Sequence, residues 1–467
     1  MVCSLNLFFQ HHLLLYICTV IKNNKNKRLK IGKMKAKWMI VAMMMGISLY
    51  GCSGGDSNDE ITDTTTTTSG TTSTTSGSGS STSSSGSSSS TGAYTLSSGS
   101  ATLTNTRYTA TSADENAIKV TGGTLTLTND TIVKSAGDAS NSDNSSFYGT
   151  NAAILASGSS SKVVMTGGTI TTNASGANAI VAYRGTVEVS DVTMTCSKNL
   201  SRGIHATGGG TITAKNLTIT TAGNNSSVIA TDRGGGTVTV TGGTYKTTGG
   251  DCAVIYSTGT ITANNITGSS SQGEVGVIEG SNSITINNCT MSSSSSKRGM
   301  MILQSGSGDA TGYNGKITVN GGTITLTGSS TPLIEITTST TGTLTLKDVS
   351  LTVPSGILML VDYNTRWSTT SPVAYLVLDG TSGKTYKGDV QVDSYGTSTV
   401  TVNSGITWTG AYNNANTGKS TKVIVNGTWN LSADSYVGTV TVASGGVINK
   451  NGHTLTYSSL SNSGTID

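Results

Sequence analysis

Seven residues in the middle of the chain carry side chains suited to binding or transforming a polar ligand: Tyr183, Arg184, His205, Asp232, Arg233, Tyr256 and Glu279. Only 11% of the 467 residues are charged, so this is the densest set of such groups in the sequence. Tyrosine faces stack on sugar rings, and Asp, Glu and Arg hydrogen-bond to hydroxyls; together these residue types suit a glycan. A glycoside hydrolase would need two carboxylates, one acting as acid and one as base or nucleophile. Asp232, Glu279, His205 and Arg233 would then carry the catalysis. A lyase needs a base beside a uronate, with calcium or several cations to neutralise the substrate. No acid cluster for calcium is evident, and only Arg184, Arg202 and Arg233 lie nearby. No cofactor and no metal site is expected, and the same seven residues can also be read as ordinary surface polars.

What must position these side chains is a repeat. A short apolar pair, a glycine turn, a Thr/Ile alternation, an Asn or Gly corner and a second short alternation recur through Arg202–Gly268. The second members of the pairs are Ile118, Ile154, Ile180, Ile204, Ile229, Ile255, Ile278, Ile302, Ile334 and Leu358, spaced by 23 to 36 residues. Repeats of this length signal a solenoid. The alternation within each unit has period two, so the units are strands. Thr, Val and Ile fit a pleated surface, and no helical apolar stripe is sustained after residue 60. Three residues before the last apolar residue of each unit stand Asn129, Gly167, Asp191, Asn216, Gly242, Asn265, Asn288, Gly321 and Asp348. These types tolerate a left-handed backbone, and a tight corner is expected at each.

The pattern resembles the parallel β-helix of the pectate-lyase-like superfold over about residues 100–360. The fold class expected is all-β: a right-handed parallel β-helix (β-solenoid) with three strands per coil and about twelve to thirteen coils. That superfold hosts lyases, hydrolases, spikes and adhesins, so the resemblance implies a fold rather than an activity. Ile180, Ile204, Ile229, Ile255 and Ile278 should point inward, as should Ile212, Ala214, Val238, Val240, Ile261, Ala263, Ile284 and Ile286. Residues 94–116 are expected to cap the first coil. The stretches Asp138–Asn151 and Ser305–Gly315 read as insertions, which in solenoids usually line a functional face. Stacked coils would raise Tyr183, His205, Asp232, Tyr256 and Glu279 up one exposed face in steps of roughly 4.7–4.9 Å. Asp232 and Glu279, two coils apart, would then lie about 10 Å apart, at the far limit for an inverting pair.

Residues 1–51 carry eight Lys or Arg and no acid. The remainder holds 20 basic against 24 acidic residues, a net −4. A mildly acidic, charge-poor body is a poor nucleic-acid partner. Lys35 and Lys37 precede an apolar run from Trp38 to Leu49 of signal-peptide length, with Met34 the expected start of translation. Leu49-Tyr50-Gly51-Cys52 resembles the lipobox of bacterial lipoproteins, which implies lipidation of Cys52 and a membrane-anchored, exported protein, at the outer membrane or cell surface. Residues 53–93 are rich in Gly, Ser and Thr and cannot bury enough apolar area to order themselves. The divisions expected are thus 1–51 for the signal region, 52–93 for the lipidated Cys and tether, 94–362 for regular coils, and 363–467 for irregular carboxy-terminal coils. The last stretch, with Trp367, Trp408 and Trp429, resembles the end of autotransporter passenger domains. Cys196, Cys252 and Cys289 are odd in number, and Cys289 is expected to be a buried free thiol.

Outward positions of the second strand form threonine ladders (Thr213, Thr239, Thr262, Thr285), interrupted by Lys162, Val164, Glu188 and Lys316. Such arrays are similar to those of ice-binding solenoids, and threonine is also the default outward residue of a soluble sheet. The function expected is a non-catalytic cell-surface adhesin or glycan-binding protein, with a polysaccharide, a surface glycan or a protein as partner. A polysaccharide lyase or hydrolase is the alternative, and a structural surface or ice-binding role the third.

Overall fold

The computed structural model describes residues 90–91, 93–337, 340–364 and 370–467. The signal region, Cys52, the tether up to Ser89 and Trp367 lie outside the described residues. Within them the chain winds as a parallel β-solenoid of about 15 turns. A regular coil has three strands. The first strands build a 12-stranded sheet, while the second and third strands join in a 24-stranded sheet.

The repeat folds this way because each corner residue accepts a left-handed backbone. All nine corner positions have φ between 52° and 67°, so one Asn, Asp or Gly per coil swings the chain from second strand to third without a long loop. Asn side chains also stack beside the corner. The Asn287 amide donates to Asn264 at 2.8 Å, and the Asn320 amide donates to Asn287 at 2.8 Å.

Apolar residues at alternate positions point inward and stack coil on coil. Ile180, Ile204, Ile229 and Ile255 are paired in register on the first-strand sheet, and Ile212, Val238, Ile261 and Ile284 on the second strand. All are buried in one continuous core. Each aliphatic side chain contributes about 1.5–3 kcal/mol by leaving water, which lets a Gly/Ser/Thr-rich chain hold a fold. Cys196, Cys252 and Cys289 are free, buried thiols, and Cys196 and Cys289 belong to this core.

The structure departs from five expectations. Ile255 faces Gly276 rather than Ile278. The 255-to-276 coil is short, and a slip of two residues keeps the inward face, so the apolar pattern conceals it. Ile278 and Ile302 still face each other, but Ile334 faces Met300. Leu358 gives way to Met359 opposite Ile334, next to a register shift between Ile357 and Met359. Residues 94–116 are themselves a complete first coil, with strands at Tyr94–Leu96, Ser100–Thr104 and Arg107–Ala110, all paired onto the next coil. The turns number about 15 rather than twelve or thirteen. The difference arises at the two ends, in that first coil and in the last coils, which lack the apolar pair.

The 12-stranded sheet ends at Asp389–Val392. From there the coils run on with two strands each, and their other wall is a five-stranded sheet beginning at Thr385–Lys387. Its inward column is Tyr386, Trp408, Trp429 and Ile448. The two indoles stack at 5.0 Å with an 8° tilt. Each donates its N–H to a carbonyl of the preceding coil, Gly388 at 2.8 Å and Gly410 at 2.9 Å. Large aromatic side chains thus fill the core where the first-strand wall is lost.

Candidate functional site

The outward face of the first-strand sheet has two side-chain columns. One runs through Leu155, Val181, His205, Ala230, Tyr256, Val277, Met301, Glu335 and Leu360. The other runs through Ser157, Tyr183 and Thr207, and the same pairings carried one residue further bring in Asp232, Thr258 and Glu279. It continues through Leu303, Thr337 and Asp362. The Asp393 N–H donates to the Val361 carbonyl at 2.9 Å, so Asp393 stands one coil beyond Asp362. Tyr183, Asp232 and Glu279 therefore share a column, while His205 and Tyr256 share the other. Arg184 and Arg233 follow at the turn, Arg184 with a left-handed φ of 59°.

Of the seven predicted residues only Arg184 and Arg233 are exposed. The other five do not line an open face, because the two insertions fold over them. The first contains α1 (Ser142–Tyr148), a seven-residue helix that the all-β pattern did not suggest. Asn141 caps it by accepting from the Asn144 N–H at 2.9 Å, and Gly149 ends it at φ 74°. A Cβ on Gly149 would lie 2.6 Å from the Leu155 side chain and 2.7 Å from Val181, so only glycine lets the helix end sit this close to the sheet. A helix this short is held by its contacts rather than by propensity. The Thr207 hydroxyl donates to the Phe147 carbonyl at 3.0 Å, the Asn178 amide to Ser145 at 3.1 Å, and Arg202 to the Ser146 hydroxyl at 3.0 Å.

The second insertion covers the neighbouring coils. Ser305 and Ser307 both donate to Oε1 of Glu279, Ser307 at 3.1 Å, while the Tyr256 hydroxyl donates to Oε2 at 2.8 Å. Arg233 joins the two covers. Its guanidinium lies 3.8 Å from the centroid of Phe147 on one side and 2.7 Å from Asp309 on the other.

Beneath this roof His205 is fully buried and Asp232 and Glu279 are buried. Asp232 pairs with Arg202 at 3.1 Å and accepts the Arg233 N–H at 2.8 Å. Burial lifts its carboxyl to about 6 despite the opposing pull of Arg202. Neither ring nitrogen of His205 has a partner. Burial, and then Arg202, push it well below its ordinary value, so it sits as a neutral imidazole. Burial and Glu279 hold the Tyr256 phenol well above 10, fixing it as a donor. Tyr183 is half-buried; Tyr148 meets its ring edge-on at 5.4 Å, and Arg184 lies over it at 5.0 Å.

Further along the same column, among the described residues, Asp362, Tyr363 and Asp393 are half-buried and Tyr395 is exposed. Asp393 accepts the Tyr363 N–H at 2.6 Å through one oxygen. Its other oxygen accepts the Tyr395 and Gly396 N–H groups at 2.9 and 2.8 Å. Tyr363 and Tyr395 stack with centroids 4.7 Å apart and a 32° tilt. Tyr395 is 53% exposed. Oδ1 of Asp362 is buried without a partner, and burial raises that carboxyl, with Asp393 adding to the shift. Sequence reasoning missed this group because the apolar repeat fades at Tyr363. The extrapolated column, rather than the repeat, would have found it.

The threonine ladder of the second strand is in register as expected, Thr213 with Thr239, Thr262, Thr285, Thr318 and Thr345. A second ladder on the third strand went unnoticed in the sequence: Thr169, Thr193, Thr218, Thr244, Thr267, Thr290 and Thr323. Among the described residues no group of three or more His, Cys, Asp or Glu is placed to hold a metal ion. No protein-family model matches the chain, and no curated protein matches it.

Proposed function

We propose that this chain is a non-catalytic glycan-binding protein presented at a bacterial cell surface by a lipid on Cys52. One observation carries the proposal. Asp232 and Glu279, the acids a hydrolase would draw on, are sealed beneath the insertions and engaged by Arg202, Tyr256, Ser305 and Ser307. A general acid and base must reach the substrate, and these two face protein. The exposed coil surface is instead rich in threonine hydroxyls in regular ladders, and the chain is poor in charge. That surface suits a neutral polymer better than a polyanion. The Leu49-Tyr50-Gly51-Cys52 sequence would supply the lipidation site at the membrane.

The test is to incubate the full chain with neutral and uronate-rich polysaccharides, with and without calcium. Retention and release of reducing ends or unsaturated uronides would be followed. Retention without turnover is expected. Turnover that Asp232→Ala or Glu279→Ala abolishes would overturn the proposal in favour of a lyase or hydrolase working beneath a mobile roof. Neither retention nor turnover would overturn it in favour of a protein partner or a structural role.

A further inference from the structure

We infer that Tyr363, Tyr395, Asp393 and Asp362 form a sugar-binding subsite that takes one neutral pyranose ring of a polysaccharide. This rests on the glycan-binding function proposed above and names where the ligand docks.

The tyrosine pair supplies the platform. A pyranose presents a face of C–H groups, and an exposed aromatic ring is the side chain that covers such a face without demanding a particular hydroxyl pattern. Tyr395 is among the most exposed large hydrophobic side chains of the described residues, at 53%. Its partner Tyr363 stacks on it, 4.7 Å away at a 32° tilt, so one face of Tyr395 is backed by Tyr363 and the other is left for the sugar ring. An aromatic pair left in water is costly to the fold, and these two do not extend the apolar core.

The platform is fixed before any ligand arrives. Asp393 alone receives the backbone N–H of both tyrosines, although they lie 32 residues apart in sequence. One carboxylate thereby sets the relative position of two rings on different coils. Preorganisation of this kind reduces what binding must spend on ordering side chains.

Hydrogen-bonding capacity lies beside the rings. Asp362 is half-buried and stands one coil from Asp393 in the same column, where its carboxylate is an acceptor for a sugar hydroxyl. Asp362 and Asp393 also decide the ligand's charge. A uronate would bring a third carboxylate to them, whereas a neutral ring brings only hydroxyls. The roofed part of the face offers no equivalent, because Tyr256 and Glu279 already satisfy each other.

The experiment is calorimetric titration of the full chain with β-glucan, mannan and galactan oligosaccharides, with oligogalacturonate as the charged arm. Wild type and the Tyr395→Ala, Tyr395→Phe, Tyr363→Ala, Asp393→Ala and Asp393→Asn variants would be compared. Binding of at least one neutral oligosaccharide is expected, with oligogalacturonate weaker. Tyr395→Ala should lower the association constant about tenfold, the scale of one aromatic contact. Tyr395→Phe should keep most of it. Asp393→Ala should lower it as much as both tyrosine truncations, because it frees both rings, and Asp393→Asn should restore part. Neutral glycan binding that none of these variants changes would overturn the subsite while leaving the proposed function standing. Tighter binding of the uronate than of every neutral sugar would overturn the charge assignment and the subsite with it. No glycan binding by the full chain would overturn both.

Discussion

Asp232 and Asp393 occupy the same outward column of the same sheet, and their surroundings are opposite. Asp232 is buried under α1 and the 305–315 segment and holds Arg202 in an ion pair. Asp393 is half-exposed and holds two backbone turns and two tyrosines. The first spends its charge on closing the fold; the second spends its oxygens on arranging a surface. A repeating coil gives both carboxylates the same starting geometry. What separates them is whether an insertion lies over the coil.

The largest test of that contrast is Arg202→Leu. It leaves Asp232 buried without its cation, and removing one partner of a buried pair typically costs about 3–5 kcal/mol. Chemical denaturation should register that loss. A change below about 1 kcal/mol would mean that water reaches Asp232 and that the roof is open in solution.

Phe147→Ala comes next. It removes the ring under the Arg233 guanidinium, at about 3 kcal/mol, the low end for truncating a buried phenylalanine. The effect should be local: amides of residues 145–149 should exchange roughly a hundredfold faster, while those around Tyr395 stay unchanged. Equal acceleration in both places would break the distinction between covered and open regions.

His205→Leu should stabilise the chain by about 1 kcal/mol, because two unpartnered buried nitrogens disappear. Its pH signature is sharper. The folded-state pKa of His205 lies well below the ordinary 6.5, so its contribution is full above 6.5 and is lost as pH falls, when the unfolded chain takes the proton first. Asp232, raised from 3.8 to about 6, acts in the opposite sense. Its contribution is present at low pH and is lost as pH rises through 6. Thermal unfolding of His205→Leu from pH 7 to 5 should therefore show stability increasing on acidification, where the wild type shows a smaller increase or a decrease. Identical profiles would remove His205 from the account.

The smallest expected effect is Tyr395→Ala on stability, within about 0.5 kcal/mol of wild type, as for an exposed side chain away from the core. Paired with a clear loss of glycan binding, that result would mark the open region as a surface kept for a ligand.

Much of this was legible in the sequence. The nine corner residues, the inward columns and the buried thiol of Cys289 were readable because a solenoid repeats one local solution, and each coil reports on the next. Local chemistry determined them: Asn129 or Gly242 can adopt a left-handed backbone wherever it stands, and Ile or Val alternating with Thr selects a strand. Tyr183, His205, Asp232, Tyr256 and Glu279 were placed along the first-strand sheet for the same reason. Their burial was not legible. It depends on where Phe147 and Asp309 land, some 60 to 90 residues away in sequence from the groups they cover, and no period records that. The slip at Gly276 was invisible because a shift of two residues preserves the inward face. The pairing of Tyr363 with Tyr395 lay beyond the fading repeat and needed Asp393 to be seen holding both. The sequence by itself determined that the chain would coil and which side chains would fill it, because those are nearest-neighbour and alternation effects. Only the tertiary structure decided which stretch of one continuous face would be sealed and which left open, because insertions pack according to contacts that local sequence does not encode.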